Sequence, residues 1–353
     1  MNFLAHLNIP HPIIQAPMAG VSTAAMAAAV SNAGGLGSVG IGNLGVDAAR
    51  QMIRDVRAAT DRAFNVNVFC HRPAVADGAR EAAWIEKLRP HFESVGAAPP
   101  TSLREIYRSF IIDEAMLAML VDERPAVVSF HFGLPNLAAI DALHHAGIIL
   151  FATATNLAEA QAIAAANVDA IVAQGHEAGG HRGTFEPDLP DEQLTTLPLT
   201  RLLARSIDIP IIAAGGIMDG AGIAAALALG ATAAQLGTAF VLCPESSADV
   251  GYRAAMTNPN ATRTVMTRAI SGRPARSLEN KFTAFGESLN KDDVPDYPTA
   301  YDAGKSLHAA AAKTGEYGYG AQWAGQGFRL ARTLPAGELV RELVRELAAA
   351  QKS

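Results

Sequence analysis

Two cysteines in 353 residues, Cys70 and Cys243, leave little room for thiol chemistry. They are far apart and in no Cys-x-x-Cys pattern, so neither a disulfide framework nor a zinc site is supported, and each reads as a small buried hydrophobe; no metal centre is expected. No apolar run reaches the roughly 18 residues that a membrane span needs. The N-terminal Met1-Asn2-Phe3-Leu4-Ala5-His6 has no charged region followed by an apolar one, so the expected compartment is the cytoplasm. Basic residues number 28 against 34 acidic ones, net charge −6, and no basic stripe is interleaved with aromatics. Nucleic acid and membrane are therefore not expected partners. Internal repeats of solenoid period and low-complexity tracts are also missing.

What is present is a rhythm. Short apolar runs alternate with alanine-rich amphipathic segments, the pattern of βα units on a parallel sheet. The runs are 13–16, 34–39, 63–69, 126–130, 148–153, 170–173, 210–214 and 233–236. Eight strands by residue 236 is the count of a (β/α)8 TIM barrel, so the expected fold is α/β with the barrel in residues 1–244. Residues 73–123 interrupt the rhythm with Pro73, Pro90, Pro99 and Pro100, and predict a longer, helical third crossover with helices near 79–88 and 102–121. After Pro244 a mostly helical and irregular extension, residues 245–353, is expected to fold back over the barrel mouth. It closes in an amphipathic helix over 334–350, with Leu339, Val340, Leu343, Val344 and Leu347 at helical spacing.

The chemistry concentrates where strands end. The sixth run leads into Gln174-Gly175-His176-Glu177-Ala178-Gly179-Gly180-His181-Arg182-Gly183, in which glycines allow close backbone approach and two histidines, a carboxylate and an arginine supply acid, base and anion-binding groups. The seventh and eighth end in Ala214-Gly215-Gly216 and Leu236-Gly237-Thr238, the two loops that barrels of this kind use to cradle phosphate. Asn67, in the apolar third run, needs a ligand or a backbone group to bond. Glu177 and Arg182 are expected to pair locally, and His176 to face solvent.

Taken together, these pieces resemble the nitronate monooxygenase family, class I. The resemblance rests on Pro12-Ile13-Ile14-Gln15-Ala16-Pro17-Met18-Ala19-Gly20, Asn65-Val66-Asn67-Val68-Phe69, Ser129-Phe130-His131-Phe132-Gly133, the 174–183 stretch, Ala213-Ala214-Gly215-Gly216-Ile217 and Gln235-Leu236-Gly237-Thr238-Ala239-Phe240. It implies an FMN enzyme that oxidises small anionic alkyl nitronates, such as propionate 3-nitronate, with O2 to a carbonyl compound and nitrite through a flavin semiquinone. FMN would then be held by Ala16, Pro17, Met18, Asn67 and Gln174 near the ring and ribityl chain, with its phosphate on Gly180, Gly215, Gly216, Gly237 and Thr238, and Gly179, Ala214, Gln235 and Gly325 also among the residues that bind it. His181 matches the catalytic histidine, and His131, Phe132, Tyr297, Tyr301 and Lys305 the substrate pocket; Tyr301 and Lys305, four residues apart, share a helix face. Trp323-Ala324-Gly325-Gln326-Gly327 would complete the lid.

Two other readings use the same residues. One is an FMN-dependent NAD(P)H:quinone or enoyl-thioester reductase on a similar barrel. The other is a barrel that binds a phosphorylated ligand without redox chemistry. Monomer and homodimer both remain open.

Overall fold

The computed structural model describes residues 3–352 and is of one chain; Met1 and Asn2 of the N-terminal stretch lie outside it. Its strands are β1 (Ile13–Gln15), β2 (Gly37–Gly40), β3 (Phe64–Phe69), β4 (Val127–His131), β5 (Ile149–Ala154), β6 (Ala170–Gln174), β7 (Gly180–His181), β8 (Ile211–Ala214), β9 (Ala233–Leu236), β10 (Thr264–Thr267) and β11 (Ala275–Leu278). Eight of them form one parallel sheet in the order β1-β9-β8-β6-β5-β4-β3-β2. A bridge between Ile14 and Leu36 brings the two edges together, so the sheet closes into a (β/α)8 barrel.

The barrel strands are short and almost wholly buried, as parallel strands covered by helices must be. Inside, Ile14, Leu36, Phe151, Val172 and Ile212 form one apolar cluster. Phe3 closes its lower end, edge-on to Phe151 with ring centres 5.0 Å apart. Outside, the helices pack on the strands: the Thr23 hydroxyl caps the helix Ala24–Asn32 by accepting from Met26 N, and Gly37 lets that helix lie against β2, since a Cβ there would fall on the Ala27 carbonyl.

Three sequence expectations need correction. The helix Gly78–Ser94 runs through Pro90 instead of ending before it, because Leu88 and Phe92, buried on either side of the proline, pin its last turns to the core. The second piece is shorter than expected: residues 95–109 have no helix, and the helix is Glu114–Glu123. The extension also contains strands. β10 pairs antiparallel with β11, and β11 pairs with β7, so the loop after β6 is stitched to the extension by a three-stranded sheet.

Helix Gly78–Ser94 packs against helix Thr299–Ala312, with Trp84, Leu88 and Phe92 among Ile270, Phe282, Ala300 and Leu307. The third crossover and the extension thus share one apolar cluster above the barrel. The last helix, Ala336–Ala350, instead packs on the flank, against helices Ala24–Asn32 and Gly220–Ala228. Among the described residues no helix is long and apolar enough to cross a membrane.

Candidate active site

The loop after β6 is held by its own polar groups. The Gln174 side chain clasps it, Nε2 donating to His181 O at 3.0 Å and Oε1 accepting from Gly183 N at 2.8 Å. Its amide is therefore committed to the protein. Arg182 is buried and donates to both carboxylate oxygens of Asp191, at 2.8 and 3.0 Å, and to the Gln174 carbonyl. The expected Glu177–Arg182 pair does not form. Glu177 accepts from Thr196 N at 2.9 and 3.0 Å, at the start of helix Thr196–Ser206, where unpaired N–H groups and the helix dipole both favour a carboxylate. His176 is half-buried, 3.7 Å from Asp191, and not turned to solvent.

His181 reaches the cavity from β7. Its backbone is fixed by pairing with Ala275 and by Gln174, and its ring Nε2 lies 2.9 Å from Ser271 Oγ. Around the ring stand Trp323 (centres 5.1 Å apart), Tyr297 (5.3 Å), Phe132 (5.6 Å) and Tyr301 (6.1 Å). Burial, with the charges of His131, Arg273 and His71 adding to it, lowers its pKa to about 3. At neutral pH this imidazole is uncharged.

His131, at the end of β4, has both nitrogens engaged, Nδ1 with Thr153 Oγ1 at 3.0 Å and Nε2 with His181 O at 3.2 Å. Burial lowers its pKa to about 4. It supports the carbonyl of His181 and leaves no nitrogen for a substrate. Phe132 beside it takes a left-handed φ of 75° and carries the Arg273 guanidinium over its face at 4.3 Å.

One large cavity opens at the C-terminal ends of the barrel strands. The structure brings the expected cofactor and pocket residues to its wall, His181, His131, Phe132, Tyr297, Tyr301 and Lys305 together with Ala16, Pro17, Met18, Asn67, Gln174, Gly179, Gly180, Ala214, Gly215, Gly216, Gln235, Gly237, Thr238 and Gly325, but not His176, Glu177 or Arg182. The space between the walls, open mouth included, is about 1440 Å³. Tyr297 contributes its ring only, since its hydroxyl is sealed without a partner. Lys305 is at the rim, still open to solvent, with Nζ 5.3 Å from the ring centre of Tyr301 and 5.7 Å from that of Tyr107; partial burial lowers its pKa. Asn67 finds its partner within the protein, Nδ2 donating to Ser129 O and Oγ at 3.0 and 2.9 Å.

One end of the cavity has the chemistry of an anion cradle. Gly215 and Gly216 have φ of 120° and 70°, and a Cβ on Gly216 would press on Glu177 Cγ at 2.9 Å. Among the described residues the N–H groups of Gly216, Gly237 and Thr238 have no acceptor in the chain. Adjacent unpaired N–H groups on glycine turns suit a phosphate. A phosphorylated cofactor fits the residues present, with Gln235 and the 16–18 backbone further along the wall.

Sequence reasoning missed two wall residues, Tyr107 and Tyr252, and two that stand behind the wall, Ser271 and Arg273. Tyr107 comes from the helix-free part of the third crossover, where no periodicity marks it. Tyr252 hydrogen-bonds to Trp323 O and so ties the helix Val250–Thr257 to the lid. Ser271 and Arg273 lie in a stretch of Thr, Ser, Pro and Arg that reads as loop; only the fold shows that they touch His181 and Phe132.

Fold and cavity define the class: a (β/α)8 barrel with its large cavity at the C-terminal face, where barrels of this kind carry their active sites. A family model described as nitronate monooxygenase matches residues 2–346. The chain is 63% identical to nitronate monooxygenase of Paraburkholderia phytofirmans over 341 residues, covering 97% of this chain and 93% of that one. It is 55% identical to nitronate monooxygenase of Pseudomonas aeruginosa, covering 98% of each. The crystal structure of nitroalkane oxidase from Streptomyces ansochromogenes superposes with a TM-score of 0.91 at 42% identity, covering 100% of this chain and 99% of that one. FabK from Thermotoga maritima is less close, at TM-score 0.76 and 29% identity. The chain belongs to the nitronate monooxygenase family and is an oxidoreductase.

Proposed function

We propose that the chain oxidises alkyl nitronates, propionate 3-nitronate among them, with O2 to a carbonyl compound and nitrite, using FMN. The observation that carries this is the meeting, in one cavity, of a glycine cradle with unpaired N–H groups and an aromatic wall that contains His181 and Lys305. In this reading Gly180, Gly215, Gly216, Gly237 and Thr238 take the phosphate. The 16–18 backbone, Gln235 and Gly325 flank the ring, and Gln174 and Asn67 act indirectly by fixing the loop and strand they bond to. FMN would supply electron transfer between substrate and O2. The chain's own part is to orient the substrate and exclude water.

The pocket residues favour a small anion. Lys305 offers positive charge at the rim, and the rings of Tyr107, Phe132, Tyr297, Tyr301 and Trp323 offer apolar walls for a short alkyl chain. At neutral pH the uncharged His181 offers a nitrogen lone pair or an N–H, not a cation.

The deciding experiment is an anaerobic visible spectrum of the purified protein with propionate 3-nitronate and, separately, with NADH. The expected result is a flavin band that the nitronate changes and NADH leaves alone. Bleaching by NADH without response to the nitronate would transfer the protein to the reductase reading, and a colourless protein unable to take up FMN would rule out both.

A further inference from the structure

His181 has two ring nitrogens and only one has a partner. Nε2 lies 2.9 Å from Ser271 Oγ, while Nδ1 has no hydrogen-bond partner among the described residues yet is not sealed, unlike the ring nitrogens of His71. Since His181 is half-buried and lines the cavity, its accessible nitrogen is Nδ1.

Hydrogen-bond counting decides where the proton is. Ser271 Oγ is buried and has two neighbours, His181 Nε2 and, at 3.3 Å, the Arg273 carbonyl. If the hydroxyl donates to the carbonyl and accepts Nε2–H, both contacts are satisfied. If it donates to Nε2, the carbonyl of buried Arg273 loses its donor. The first arrangement makes one more bond and places the ring proton on Nε2.

The segment carrying Ser271 is held rigidly enough to enforce this. Gly272 has φ 94° and sits against the backbone of Pro295 and Tyr297, with no room for a Cβ. Pro274 O accepts from Arg182 N at 2.8 Å, and Ala275 pairs with His181 itself. Backbone and hydroxyl of one segment therefore fix the backbone and ring of the histidine.

We propose that Ser271 is a positioning residue that holds His181 in the Nε2–H form, so that an unprotonated Nδ1 faces the cavity. A lone pair repels an anionic oxygen. Resting on the nitronate reading above, the substrate then lies with its carbon end against His181 and its nitro oxygens toward Lys305, both groups near the Tyr301 ring, at 6.1 Å from ring centre to ring centre and 5.3 Å from Nζ to ring centre.

The test is long-range 1H–15N NMR of ring-labelled full-length holoprotein, with the His181 signals assigned by their loss in His181→Asn. The expected wild-type result is an Nε2-protonated, Nδ1-bare ring. Ser271→Ala should show a mixture of the two neutral forms, and Ser271→Thr, which keeps the hydroxyl, should restore the single form. In parallel, kcat/KM for a nitronate should fall about tenfold or more in the alanine variant and recover in the threonine variant, with FMN affinity unchanged. A wild-type ring protonated on Nδ1, or a tautomer that ignores Ser271→Ala, overturns the proposal. The NMR arm needs no substrate, so its outcome is separate from whether nitronates are turned over.

Discussion

At the scale of single residues, the site is a group of neutral histidines kept neutral by burial. His181, His131 and His71 have pKa values lowered to about 3, 4 and 4, with burial the first cause in each. The ordinary value is about 6.5, so below it the unfolded chain takes up protons that the folded chain refuses. Stability should therefore be level above pH 6.5 and fall as pH drops from there toward 4, each unit of depression being about 1.4 kcal/mol per group. Melting temperatures between pH 7.5 and 5, where few carboxylates titrate, should show the decline. In His131→Gln the slope should shrink, because one of the titrating groups is gone, while His181, His71, His91 and His176, all lowered by burial, keep the rest of it. An unchanged slope would mean that His131 is not refusing a proton.

His181→Asn separates side chain from backbone at the same position. The backbone carbonyl, held by Gln174 and His131, is untouched by the change, so the loop and the cradle should persist. Turnover of nitronate should fall about 10²-fold or more with FMN still bound. Loss of FMN along with activity would show that the ring, not the carbonyl, keeps the loop in place.

At the scale of elements, the decisive contacts are close approaches and caps. Gly37 allows the helix Ala24–Asn32 to touch β2, and a methyl group there meets backbone that cannot move aside. Gly37→Ala should cost about 3 kcal/mol or more and show as a depressed melting temperature, although the residue is far from the chemistry in sequence and role. Glu177→Ala removes the carboxylate that caps helix Thr196–Ser206, worth about 1 kcal/mol. Because Glu177 Cγ also backs Gly216, the same variant should weaken FMN binding, measured by equilibrium dialysis. A stability loss with unchanged FMN affinity would confine Glu177 to capping.

Elements also show what was legible. The barrel strands could be read because each is a short apolar run buried on both faces, and the glycine turns because they fall at strand ends. β10 and β11 could not. Thr264-Val265-Met266-Thr267 is only half-buried, and the strand that completes the sheet is the two-residue Gly180–His181, some ninety positions away. A pairing of that range leaves no local pattern. The same holds for Tyr107 and Ser271, single polar residues in irregular segments whose neighbours are set by tertiary packing, and for Pro90, whose local veto on helix yields to the buried Leu88 and Phe92.

At the scale of the whole molecule, the chain after the last barrel strand does two separate jobs. Its middle part covers the mouth and holds His181, while its end returns to the flank. Helix Ala336–Ala350 buries Leu339, Val340, Leu343 and Leu347 against helices Ala24–Asn32 and Gly220–Ala228, and contributes no residue to the cavity wall. Glu346 accepts from Gly220 N at 2.9 Å and pairs with Arg332 at 2.6 Å, which locks the terminal helix to the start of the helix following the glycine cradle. Four large apolar side chains at about 1.5–3 kcal/mol each amount to about 6–12 kcal/mol, as much as the entire net stability of an ordinary domain. A chain ending at residue 335 should therefore lose its cooperative thermal transition and aggregate, although every cavity residue is still encoded. If it melted within a few degrees of the full chain and retained FMN, the flank of the barrel would be stable uncovered, and the terminal helix would be an accessory instead of part of the core.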